Sequence, residues 1–213
     1  IYGPGDAELG VLRARHIASV LRLNPLMMLA NVLVGGALGW TFLADTPLAF
    51  GIWAAALAAM VASALLAWWR AGPTRSTASR RAIHRSTRYA VVMGVVWAAV
   101  PLIWFPGSGY SQRIVVAIVS AGMMAAGTFV LSPLPRASMV YLALMLAGSL
   151  AALWRAADPV LLPVVLLLLS FAGVCAITAL SVAIKANAAL RAEFDAERQR
   201  EMVLLLLRDF EEN

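Results

Sequence analysis

The chain is predicted to be all-α: a polytopic membrane bundle of six transmembrane helices, the last continuing into a cytoplasmic signalling or coiled-coil helix. Three observations predict it. The 213 residues are 62% hydrophobic and 13% charged, too little polar surface to wrap a water-soluble globule of this size. Six apolar stretches, roughly 25–43, 47–69, 89–105, 111–131, 137–153 and 159–184, approach the ~20 residues needed to cross about 30 Å of hydrocarbon. Of the 17 lysines and arginines, only Arg113 and Arg155 fall in connectors on one side of such a bundle. The rest lie before the first span, between spans two and three, between spans four and five, or after span six. The positive-inside rule then places both termini in the cytoplasm.

The segments follow in order. Residues 1–24 form a cytoplasmic N-terminal segment in which Leu9, Leu12, His16, Val20 and Leu23 recur at steps of three or four. That spacing predicts an amphipathic helix, either on the membrane surface or packed against other cytoplasmic parts. The start lacks the apolar core and small-residue site of a cleavable signal, and with no opening methionine, residues are expected before Ile1. Residues 25–184 form the six-helix domain. Its outer connectors, around Asp45, Pro106 to Gly109 and Arg155 to Asp158, are too short for an outer domain. Trp40, Trp104, Trp154 and Tyr110 near the outer ends, with Trp68, Trp69 and Tyr89 near the inner ends, read as aromatic belts. The connector from Arg70 to Arg88 carries arginines and no acid, which suits headgroup contact; with no soluble basic domain, membrane lipid rather than nucleic acid is the expected partner.

Catalytic, cofactor and metal chemistry is expected to be absent. The two histidines, His16 and His84, fall outside the hydrocarbon, which disfavours bis-histidine haem; no mid-span lysine and acid pair exists for a retinal Schiff base. His, Cys, Asp and Glu clusters are missing from the spans, and Cys175 stands alone. Packing chemistry remains. Asn31 is the one strongly polar side chain deep in a span, fitted for a ligand or an interhelical hydrogen bond; Met123, Met124 and Thr128 are further ligand or interhelical contacts. Gly35 with Gly39, and Gly122 with Ala126 and Gly127, present small faces for close helix packing, within one protomer or across a dimer.

Residues 185–213 form a linker helix. From Val164 to Arg208 there is no proline and one glycine, so a single helix can rise about 1.5 Å per residue out of the bilayer. Lys185, Leu190, Phe194, Met202 and Leu205 are the positions expected to transmit a signal.

Several spans without an outer domain, a charged linker helix, and then LLLLRDFEEN from Leu204 to Asn213 resemble the membrane-associated (MASE-like) sensor regions of bacterial cyclic-di-GMP enzymes and of sensor histidine kinases. In such proteins a segment like the last ten residues commonly opens a PAS domain, followed by GGDEF and EAL domains or a kinase core. None of those catalytic motifs is present, so no catalytic residue carries over. The resemblance implies the input and anchoring part of a longer, homodimeric enzyme, with a covalently linked cytoplasmic output domain. A small transporter or channel is the alternative from another class, and a lipid-acting enzyme using Arg113, Arg136 and Arg155 a third that lacks an evident acid, base or nucleophile.

Overall fold

A computed structural model describes residues 25–70, 80–156 and 161–212; the expected N-terminal amphipathic helix, and 71–79 of the long connector, lie outside them. The described residues form six helices: α1 Pro25–Phe42, α2 Pro47–Arg70, α3 Arg80–Trp104, α4 Tyr110–Val130, α5 Pro135–Ala156 and α6 Leu161–Glu212. No strand occurs among them. Each helix contains a stretch long and apolar enough to cross a membrane. Pro47 and Pro135 open α2 and α5, where a missing backbone N–H costs nothing because no intrahelical partner exists there. Pro163 falls in the first turn of α6 and is tolerated for the same reason.

α3 begins at Arg80, nine residues before the apolar stretch at Tyr89 that marked it in the sequence. The reason is local: Arg80 to Arg88 contains neither proline nor glycine, so the hydrogen-bond ladder continues past the point where hydropathy falls. The part of the connector from Arg80 to Arg88 is therefore helix, and His84 stands on α3 rather than in a loop.

α3 and α5 form the central pair. A Cβ added to Gly148 of α5 would stand 2.7 Å from the Cβ and 2.8 Å from the carbonyl oxygen of Ala98 on α3, and one added to Gly94 of α3 would stand 2.9 Å from Leu144 Cδ1 of α5. The two contacts advance together along both helices, so α3 and α5 run parallel and nearly touch backbone to side chain. α2 packs on α3, and α1 packs on α2 through Gly35 and Gly39 and reaches α3 at Asn31. α4 packs antiparallel to α5 and also touches α3, and α6 leans on both α4 and α5. The buried stripe of α6 is Ala172, Cys175, Ala179 and Ala183, all small, while Leu166, Leu169, Val174, Ile177 and Ile184 are exposed on its outer side. Such a distribution suits a span bathed in hydrocarbon, where exposed apolar side chains need no cover.

Candidate functional site

The polar side chains inside the bundle sit at helix contacts. Trp97 of α3, fully buried, donates its indole N–H to Asn31 Oδ1 of α1 at 2.7 Å, and Asn31 Nδ2 donates to its own helix at Met27 O, 2.6 Å away. Trp53 of α2 donates to Val96 O of α3 at 2.8 Å. A carbonyl oxygen has two lone pairs, so Val96 O can accept this outside donor while remaining part of the helix. Trp104 of α3 donates to Thr46 Oγ1 at 2.9 Å, in the α1–α2 connector. All three indole N–H groups are thus satisfied, as apolar surroundings demand.

These rings form one cluster. Trp53 meets Trp97 and Trp104 edge-on at centroid distances of 5.6 and 5.7 Å, and Phe42 stacks on Trp104 at 5.3 Å. Trp104 is consequently core, not belt, and Tyr89 is half-buried with its hydroxyl 3.9 Å from Met28 Sδ of α1. Proximity to a helix end placed both in the aromatic belts; the helix face they occupy points inward. Trp40, Trp69, Tyr110 and Trp154 are exposed, as belt residues are.

A second polar seam joins α4 to α5. Ser138 Oγ donates to Thr128 O at 2.8 Å, and the hydroxyl of fully buried Tyr141 donates to Met123 O at 2.7 Å. Thr128 Oγ1 turns back to Met124 O at 2.6 Å. Gly127 makes room for the Tyr141 ring, which lies where a Cβ would stand. Met123, Met124 and Thr128 are thus buried packing residues at an interhelical contact. The expected common face of Gly122, Ala126 and Gly127 divides: five residues along a helix turn Gly127 well away from Gly122, so Gly127 meets α5, Ala126 packs against the core edge, and Gly122 is open to the outside. Gly35 and Gly39 pack within the chain against α2, where added Cβ atoms would meet Leu57 Cδ2 at 2.8 Å and Phe50 Cζ at 2.9 Å.

Because nothing stands within 4 Å of an added Gly122 Cβ, Gly122→Leu is expected to change unfolding stability by less than about 0.5 kcal/mol. If Gly122 lies at a dimer contact, the same variant lowers the cross-linked dimer fraction while leaving that stability untouched; denaturant titration in detergent and cross-linking yield separate the two.

Arg113 and Arg155, at the end of the bundle where α3 and α5 finish and α4 begins, have structural work. Arg113 donates from Nε to Ser108 O at 3.0 Å and from Nη2 to Pro106 O at 3.2 Å, with its guanidinium 5.5 Å from the Phe105 ring centre. Arg155 donates to Leu102 O, 3.1 Å away, in the last turn of α3, where a cation also opposes the helix dipole. Gln112 joins this end to the first connector by donating to Asp45 Oδ2 at 2.7 Å.

Of the transmission positions, Lys185 and Met202 are exposed on α6; the side chains of Leu190, Phe194 and Leu205 lie outside the described residues. Among the described residues no group of His, Cys, Asp and Glu could hold a metal. An open groove of about 460 Å³, lined by Ala62, Leu65, Leu66, Trp68 and Trp69, lies on α2 alone and away from both polar seams.

Sequence reasoning missed the Gly94, Ala98 and Gly148 crossing and the Tyr141 notch. The small-xxx-small spacing of Gly94 and Ala98 was the available signal.

Six apolar helices of spanning length define a multi-pass α-helical membrane protein. No protein-family model, curated protein or solved structure matches the chain.

Proposed function

We propose that this bundle is a transmembrane sensory and dimerisation module of a bacterial inner membrane, both termini cytoplasmic, that anchors and regulates a cytoplasmic output domain of the cyclic-di-GMP or histidine kinase type. One observation carries it: α6 is a single helix of 52 residues, of which only Leu162–Ala186 is its apolar span. The remainder extends about 39 Å further. It carries an exposed Met202 and Val203, apolar side chains that a second copy of the same helix would cover.

The packing of α6 suits motion. It rests on α4 and α5 through Ala172, Cys175, Ala179 and Ala183, a low ridge over which a helix can slide or turn between two arrangements. A cue within the bilayer that favours one arrangement would move the protruding part as a rod.

Inserting one to four alanines after Lys185 in the full-length protein tests the mechanism. Output activity, read as cyclic-di-GMP turnover or autophosphorylation, is expected to vary with helical phase: one residue turns the rod by about 100°, and four nearly restore it. A flat response across the series would remove rigid transmission. Solute flux in proteoliposomes that depends on Asn31 would instead favour the transporter alternative.

A further inference from the structure

We propose that the N-terminal part of α3 binds the phosphate groups of anionic phospholipids in the leaflet that α3 enters. The inference goes beyond the sensory reading and stands or falls separately from it. α3 is helical from Arg80, whereas its apolar stretch begins at Tyr89, so the turns from Arg80 to Arg88 lie at the level of the headgroup layer. Arg81, Arg85 and Arg88 follow one another at i, i+4 and i+7, and their backbone positions share one face.

Where that face points decides what it meets. Continued along the same register, it reaches Val92 and Val95, both exposed on the outside of the bundle, while Ala90, Met93, Trp97 and Val100 turn inward. Arg85 and Arg88 are themselves exposed. The strip is apolar at hydrocarbon depth and cationic immediately above it, and Arg88 is only about 6 Å along the axis from Val92. A surface that faces lipid tails at one level faces lipid headgroups at the next. Arginine also suits the place, since its stem lies along apolar surface while its planar head matches phosphate oxygens.

Charge elsewhere agrees. No acid occurs between Arg70 and Arg88, so the strip's own segment of sequence carries no carboxylate. The arginines of the opposite end differ in kind: Arg113 and Arg155 donate to carbonyls of the protein itself.

The test uses the full chain in nanodiscs of phosphatidylcholine with a minor share of phosphatidylglycerol, followed by native mass spectrometry of the lipids it retains. Phosphatidylglycerol should be enriched over its share, and R85Q/R88Q should lower the enrichment by a factor of about 25, roughly fivefold per arginine. R85K/R88K keeps the charge and should keep most of the enrichment. Unchanged helical circular dichroism shows that the Gln variant is folded; should it not fold, the comparison of wild type with R85K/R88K at low and high salt takes its place, both losing enrichment as salt rises. Equal enrichment in folded R85Q/R88Q, salt-independent enrichment, or displacement of the lipid by inorganic phosphate at equal concentration overturns the proposal.

Discussion

Gly148→Ala is expected to weaken folding by about 3 kcal/mol, the upper end of the range for overpacking a close-packed interior. The added methyl would meet the Cβ of Ala98 at 2.7 Å, its carbonyl oxygen at 2.8 Å and its Cα at 3.1 Å. Two of those three are backbone atoms of α3 and cannot rotate aside, so α3 and α5 must separate. Separation at this point disturbs the central pair, on which α2 packs through α3, α6 through α5 and α4 through both. Gly35→Ala is the informative contrast, because its methyl would crowd, at 2.8 Å, the terminal Cδ2 of Leu57, which has rotamer freedom to yield, and would meet Trp53 Cη2 at an ordinary 3.9 Å. It should cost less than Gly148→Ala even though Gly35 belongs to the more conspicuous GxxxG. Ala98→Gly in the Gly148→Ala background should recover part of the loss and no more, since the carbonyl contact remains. Equilibrium unfolding in mixed detergent, scored by loss of helical circular dichroism, measures all of these. Equal stabilities for Gly148→Ala and Gly122→Ala would mean that the α3–α5 crossing is looser than described.

That contrast also shows why some of the fold was legible in the sequence and some was not. Span positions follow from runs of apolar residues ended by proline, glycine or charge, and the helices at Pro47, Pro135 and Tyr110 begin within two residues of the expected points. The start of α3 was not legible from hydropathy because a helix does not end where its apolar run ends; it ends where its ladder is interrupted, and nothing interrupts Arg80 to Arg88. Helix partners were the least legible. Gly35 and Gly39 advertise a packing face, but the sequence does not say that the face meets Leu57 and Phe50 of the next helix. The same limit applies to Trp104: its place in the chain marks a membrane interface, and only the rotation of α3 about its axis brings it against Phe42 and Trp53. Asn31 was legible as a residue that must find a partner in hydrocarbon, because an amide without one is costly there; its partner, Trp97, lies 66 residues away.

Asn31→Leu is expected to destabilise the protein by roughly 1–2 kcal/mol, the scale of an interhelical hydrogen bond in a membrane protein. The substitution removes the acceptor and leaves the indole N–H of Trp97, fully buried, facing apolar atoms. The second bond of Asn31, from Nδ2 to Met27 O, matters less, because that carbonyl lies in a helix and retains a backbone donor. Trp97→Phe leaves the converse orphan, the Asn31 carbonyl, and also withdraws ring area from the contact with Trp53 at 5.6 Å. In the double variant neither orphan exists, so its loss should be smaller than the sum of the single losses by about 1 kcal/mol. Thr41→Val is the control: among the described residues Thr41 Oγ1 bonds to Ala37 O of its own helix, at 2.9 Å, and its removal should be nearly neutral. Additive losses for Asn31 and Trp97 would mean that the two side chains do not act as a pair in the membrane. Coupled losses would make the pair the tie that holds α1 on α3, and would account for a strongly polar side chain at this depth by packing alone.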